Sequence, residues 1–459
     1  MAQRQVVDPA FAGRAGVGRR DITPPVGIYA RSWGAAAHDT AEGVHRPLLA
    51  TALALSQGDE PPLVLLGLDL GWWRSAADES AFVGAVTEAT GLTPDRLIVA
   101  MSHTHAGPSV TLKDADKPGG ELIAAYADRV RAAATAACSE AIASRVPAVV
   151  TWATGHCELA SDRDYFDGTR YVCGYNPDGT ADTTLLVGRV TDAGGSVVAT
   201  ILNYACHPTT LGHLNRLISP DYVGAAREVV ENATGGAPCL FLQGASGELG
   251  ARESYSGDVA VADRNGRTLG WATLAALSNL LPPGTALGYR GALESGATLA
   301  IWQREAGRPS TALRASSLVV DLPLKDRTTI DQITASWKTL DDRVRLERER
   351  RRAFVLASLP GEVAGVTVRI WRVGDALLVA QPDEAYSVFQ RELRSAVPGR
   401  PVLVLNLAGG PSHGYLPPAA AYDHEADLYQ VWQTPFGRGA AELLLERTTR
   451  ELVAASAER

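Results

Sequence analysis

No stretch of this chain approaches the roughly 18 consecutive apolar residues that a membrane-spanning helix needs. Its opening, "MAQRQVVDPAFAGRAGVGRR", lacks the apolar core of a secretory signal, so the expected location is the cytoplasm. Positive charge is not in excess either. The net charge of −8 is spread along the chain, whereas gripping a phosphate backbone needs a basic face, so no nucleic-acid partner is expected. Cysteine is sparse: Cys138, Cys157, Cys173, Cys206 and Cys239 stand far apart, with no CxxC pair and an odd total. That pattern excludes a thiolate zinc knuckle and a disulfide framework. There is no HExxH helix, no GxSxG elbow and no P-loop.

A fixed-period repeat and a low-complexity linker are also missing, which favours one catalytic unit over 1–459 with an insertion around 285–356. The composition, 46 % hydrophobic and 20 % charged over 459 residues, is that of an ordinary globular enzyme. The Arg-rich stretch "RVRLERERRRAF" (343–354) interleaves Glu with Arg at helical spacing and reads as a solvated helix with i,i+4 ion pairs. Oligomeric state is not readable from any of this.

Short apolar runs alternate with helical patterns: "PLVLLGLDL" and "RLIVAMS" as strands, "AADESAFVGAVTEATG" as a helix, then a long amphipathic segment to about residue 145. The order favours an α/β fold. "TTLLVGRVTDAGGSVVATILNYACHPTT" predicts two strands joined at "DAGG". "SPDYVGAAREVVENATG" predicts a helix with Ser219 as N-cap and Pro220 at its first position. A charged helix is expected over 331–356, and "VTVRIWRVGDALLVAQP" reads as a hairpin turning at "VGDA".

On this map the chemistry-bearing residues collect just past strand ends. His103 and His105 follow "RLIVA", Cys206 and His207 follow "VVATILNYA", Glu384 follows "DALLVAQP", and His413 and Tyr415 follow "PVLVLNL". That edge is where ligands bind in open α/β sheets. In an extended stretch residues i and i+2 point to one side, so His103 and His105 can share a cleft. Taken alone, the pair reads equally as metal or catalytic residues and as a hydrogen-bonded loop pair. A third histidine at 207 and the carboxylate of Glu384 add the donor types of a catalytic zinc site. Ser246 in "GASGELG" reads as part of a Gly-rich turn rather than a nucleophile, and Cys206 as a buried small residue. Asp21 and Asp221 read as turn or helix caps.

"GVGRRDITPPVGI", "GVHRPLLATALAL", "SHTHAGPS", "NYACHPTTLG", "LQGASGELGAR", "AQPDEAY" and "GYLPPAAAY" together resemble, in order and content from about residue 14 to 455, the catalytic domain of the neutral/alkaline non-lysosomal ceramidases. The resemblance implies two β-sheets sandwiched between helices and a hydrolase with one zinc per chain that cleaves an N-acyl amide. It implies zinc ligation by His103, His207, Glu384 and Tyr415. It gives His105 the proton transfer to the leaving amine, and Arg163 and Tyr429 the support of the developing oxyanion. Such a zinc site activates water and polarises a carbonyl without a protein nucleophile.

The sequence also departs from the ceramidase pattern. "GELGAR" carries Glu248 for an Asp and Gly250 for the functional serine, and "PDE" places Asp383 where the pattern has Gly. The chain as given ends where ceramidases continue into an immunoglobulin-like domain. The expected substrate is therefore a small N-acyl or ester compound rather than ceramide itself. An esterase or lactonase, and a non-catalytic binding protein on the same scaffold, are the competing readings. Arg163, set among acidic residues, has a plain alternative as half of an ion pair.

Overall fold

Leu63–Leu68 is apolar at every position, as suits a strand covered on both faces, and all six of its residues are buried. The computed structural model describes residues 4–73, 75–342, 344–346, 348–349, 361–424 and 427–457. Within them the chain walks the same path, three strands, a helix, a fourth strand and a second helix, three times. The first passage is β1 (Ala10–Asp21), β2 (Leu49–Ser56), β3 (Leu63–Leu68), α1 (Ala76–Thr90), β4 (Leu97–Met101) and α2 (Ile123–Ala143). The second is β5 (Val146–His156), β6 (Thr184–Asp192), β7 (Val197–Tyr204), α3 (Tyr222–Ala233), β8 (Cys239–Gln243) and α4 (Val259–Ser278). The third is β9 (Leu313–Pro323), β10 (Val363–Val373), β11 (Ala376–Ala380), α5 (Ser387–Ala396), β12 (Val402–Leu405) and α6 (Ala440–Ala457).

In each passage the third and fourth strands run parallel, joined by the helix, while the first three are antiparallel. The first two passages share one eight-stranded sheet, ordered β8-β7-β6-β5-β1-β2-β3-β4, which reads identically outward from the antiparallel β5–β1 pair. The third makes a four-stranded sheet, β9-β10-β11-β12. Between passages two and three, strands Thr285–Leu293 and Leu299–Ala306 form a side sheet with Gln5–Val7.

The sheets stack face to face through Leu53, Leu65, Trp152, Trp371, Leu378 and Leu403. Helices α1 and α2 cover the outer face of the first half of the large sheet, α3 and α4 the second half, and α5 and α6 the small sheet. Two sheets between helical layers is the architecture expected from the sequence. The α2 contact is close: a Cβ at Gly18 of β1 would lie 2.2 Å from the Ala137 carbonyl, so only glycine permits it. A buried bidentate pair, Arg227 on α3 with Asp69 after β3 (2.9 and 2.6 Å), ties the two halves of the sheet together.

Two local expectations are corrected. The α3 N-cap is Asp221, not Ser219: its carboxylate accepts Tyr222 N–H (2.7 Å) and Leu211 N–H (3.0 Å), and Pro220 stays outside the helix. Ser219 instead accepts the N–H of Asp221 (2.9 Å), supporting the cap from one step back. The helix expected over 331–356 begins earlier, as Arg327–Ser336, and closes in a tight turn at Trp337–Thr339. Most of "RVRLERERRRAF" lies outside the described residues. Inside them Arg345 pairs with Glu349 (3.2 Å) at the anticipated i,i+4 spacing, and also with Asp342 (2.8 Å) just before the stretch. Among the described residues no helix is long and apolar enough to cross a membrane.

Candidate metal centre

The parallel strand pairs end on one side of the stacked sheets, and the loops leaving them carry the site. Past β4 the backbone does not stay extended. His103 adopts a left-handed φ of 68° and donates its N–H to Leu70 O (2.9 Å). For a non-glycine residue this conformation costs about 1–2 kcal/mol, strain of the kind that concentrates at functional sites. The sequence argument for a shared direction assumed an extended segment, and the turn replaces it. The two rings meet nonetheless, with His103 Nε2 and His105 Nε2 3.3 Å apart.

His103 Nδ1 donates to Gly71 O (3.1 Å), and His207 Nδ1 donates to Ser246 O (2.7 Å). A carbonyl oxygen only accepts, so each Nδ1 carries a proton, and in the neutral ring Nε2 is the nitrogen left to act as a ligand. The two Nε2 atoms face one carboxylate oxygen, Glu384 Oε2, at 3.2 Å from His103 and 2.9 Å from His207. Burial, then the nearby Arg163 charge, pushes the His207 pKa down to about 3, so this imidazole is neutral. Burial alone would raise the Glu384 pKa, but the closeness of the His103 and His207 rings outweighs it and holds the carboxyl well below the usual range. Unprotonated nitrogens around an ionised oxygen at these distances repel unless a cation lies among them. The donor set fits a divalent metal ion, and His103, His105 and His207 alone bring three ligand atoms within 4.8 Å of one another.

Tyr415 joins through the backbone: Glu384–Ala385 pairs in parallel with Tyr415–Leu416, and Thr434 Oγ1 donates to Tyr415 O (2.5 Å). Its hydroxyl accepts from Arg163 Nη2 (3.1 Å), which also reaches Gly247 O (2.7 Å) and His207 Nε2 (3.2 Å). Among the described residues no carboxylate comes within ion-pair distance of Arg163, although Asp162 and Asp164 flank it in sequence. Asp164 instead accepts from Tyr386 OH (2.9 Å) and Gln430 Nε2 (2.6 Å). His105 lies between the rings of Trp33 and Trp72, each 5.2 Å away, in a narrow depression lined also by Arg31, His38 and Asn215. Burial, then the other two imidazoles, lowers its pKa well below the ordinary value. His105 Nδ1 and Arg163 Nε are buried with no hydrogen-bond partner in the protein. Tyr429 sits one layer back, edge-on to Tyr415 at 5.6 Å and to Trp432 at 5.3 Å.

Several contributors had no signal in the sequence. Trp33, Trp72 and Tyr255 are loop aromatics, and Gln243, Gln381 and Asn406 are buried amides that brace the strand ends. Ser246 is structural: its carbonyl orients His207, while its hydroxyl accepts from Gln243 (2.6 Å). Cys206 is fully buried with its thiol pKa pushed well up by burial, so it is no nucleophile. At Gly250 an added Cβ would meet Arg163, Ser254 and Thr209 at 3.5–3.9 Å, ordinary contact distances, so the missing serine is not a steric necessity.

Glu248 turns away from the histidine cluster and accepts both the N–H (2.9 Å) and the hydroxyl of Ser387, the first residue of α5. Burial raises its pKa from the ordinary 4.5 to about 7, against the pull of those hydrogen bonds. An acid whose folded pKa is raised adds stability below its unfolded pKa and loses it as pH rises through the folded one. Unfolding free energy measured in urea should therefore fall between pH 4.5 and 7 by up to about 3 kcal/mol more in the wild type than in Glu248→Gln. Identical pH slopes for the two proteins would refute this.

No family model matches the sequence, and no curated protein matches it. Solved structures do. The neutral ceramidase from Pseudomonas aeruginosa superposes with a TM-score of 0.69 at 16 % identity, over 98 % of this chain and 75 % of that one. A ceramidase complexed with C2 gives 0.68 at 15 %, with the same coverage. This is the ceramidase fold. At such identity the likeness extends to architecture alone, and within the ceramidase fold the chemistry rests on the side chains just described.

Proposed function

We propose that this protein is a zinc-dependent hydrolase that opens the amide bond of a small or moderately apolar N-acyl compound. The observation that carries the reading is the convergence of the Nε2 atoms of His103 and His207 on one carboxylate oxygen of Glu384. His103, His207, Glu384 and Tyr415 would hold one zinc ion per chain. When bound, zinc supplies Lewis acidity, bringing water toward a neutral pKa and polarising a carbonyl. His105, neutral and with Nδ1 unpartnered, takes a proton and returns it to the leaving amine. Arg163 holds the developing oxyanion through donors that no carboxylate neutralises, with Tyr429 supporting it from behind Tyr415. Trp33 and Trp72 wall the cleft and keep bulk water off His105. The ceramidase neighbours are consistent with amide cleavage.

Metal content by plasma mass spectrometry, followed by a panel of short and long N-acyl amides, esters and lactones, tests the reading. About one zinc per chain with amide turnover is expected. Absence of zinc would overturn the reading, while stoichiometric zinc without cleavage of any carbonyl substrate would favour a binding protein. Turnover of esters or lactones alone would replace the amide assignment.

A further inference from the structure

One buried carboxylate beside the metal-ligand cluster takes no part in that chemistry. Asp383 immediately precedes Glu384 and has no exposed surface. A carboxylate so placed has given up its water and is stable only if hydrogen-bonded within the protein. Its backbone is held by Gln381, whose side chain accepts the Asp383 N–H (2.8 Å) and donates to Asp383 O (2.7 Å). With the main chain fixed, the carboxylate faces the segment that follows β12. There Oδ1 accepts the backbone N–H of His413 (2.6 Å) and the ring Nδ1–H of the same residue (3.2 Å). The His413 ring is otherwise packed edge-on to Phe436 at 5.9 Å.

The residues next to His413 explain the placement. Gly414, at a φ of 125° that a side chain would not tolerate, accepts the Glu384 N–H on its carbonyl (2.9 Å). Tyr415 then pairs with Glu384. The loop carrying Tyr415 thus hangs on the segment carrying Glu384 at two points, a short parallel bridge and the Asp383–His413 contacts beside it. We infer that Asp383 and His413 form a positioning clamp that fixes Tyr415 against Glu384 and so sets the spacing of two metal-ligand side chains. Neither residue touches substrate. The inference rests on the zinc reading of the site.

The test compares the full chain with Asp383→Ala, Asp383→Asn, His413→Ala and the Asp383→Ala/His413→Ala double variant. Zinc affinity is measured by chelator competition, the visible spectrum is recorded with cobalt(II) bound, and the folding of each metal-free protein is checked by circular dichroism. Asp383→Ala should weaken zinc binding by about 10- to 100-fold and alter the cobalt spectrum, as loss of an outer support does. Asp383→Asn should recover most of the affinity, because its amide oxygen accepts the same N–H groups. His413→Ala should lose less than Asp383→Ala, since the backbone N–H remains. The double variant should be no worse than Asp383→Ala, because the imidazole has nothing left to hold.

Wild-type affinity in the folded single variants overturns the clamp and leaves the zinc reading standing. Losses that multiply in the double variant also overturn it, by showing two independent effects. A wild-type protein that takes up neither zinc nor cobalt removes both inferences together.

Discussion

Replacing His207 by alanine should abolish stoichiometric zinc binding and lower kcat/KM on the cleaved amide by about 10³-fold or more, while leaving the chain folded. The expectation of folding follows from the backbone. Residues 206–209 are held by His207 N–H to Leu249 O (3.0 Å), Tyr222 OH to Cys206 O (2.5 Å) and Gln243 Nε2 to Cys206 O (2.9 Å), none of which involves the imidazole. The ring's removal takes one donor from the Ser246 and Leu249 carbonyls, but each keeps a backbone N–H, from Leu249 (2.9 Å) and His207 (3.0 Å), so neither is left unsatisfied. It also leaves Glu384 facing one imidazole rather than two, which ends the geometry that suits a divalent ion. Metal analysis, steady-state kinetics and circular dichroism on one preparation decide the matter. A folded variant that keeps both its zinc and its activity would show that the convergence at Glu384 has another purpose.

The placement of His103, His207, Glu384 and Tyr415 past strand ends was legible because each strand before them is a short apolar run, and such runs need no tertiary information to be located. Their mutual distances were not legible, since they depend on stacking two sheets that are far apart in sequence. The threefold path of strands and helices left no sequence repeat to find: the three passages share backbone pairing and buried faces, which many apolar sequences satisfy. Arg163 shows the limit most plainly. Flanked by Asp162 and Asp164, it reads locally as half of an ion pair, yet the neighbouring carboxylate of Asp164 is taken by Tyr386 and Gln430 from the third passage. Glu248 likewise reads as a substitution in a site loop until Ser387, from α5, is seen to claim it. In both cases the deciding partner is distant in sequence. At the start of α3 the N-cap expected at Ser219 falls instead on Asp221, which also reads as a cap, and Leu211 N–H reaching Asp221 settles the choice.

Arg163→Met should lower kcat by about 10²- to 10³-fold, change KM much less, and leave zinc content intact. The argument turns on which charges surround the guanidinium. It is 5 % exposed, and its Nη2 partners are a carbonyl, a phenol and an imidazole, none of them anionic, while Nε has no partner. A buried cation whose direct hydrogen-bond partners are uncharged is left to meet a negative charge that appears during reaction, so its loss belongs in kcat rather than in ground-state binding. Methionine fills similar space without charge, and replacing buried ionic groups by apolar ones is often tolerated, so the variant should fold. Arg163→Lys separates charge from shape. Lysine keeps the positive charge but not the planar fork, and a partial recovery of kcat would show that both contribute. If Arg163→Met instead loses zinc together with activity, the guanidinium serves the ligands through His207 and Tyr415 and not the oxyanion. If kcat and zinc content are both unchanged, its contacts with Gly247 O, Tyr415 and His207 are structural only.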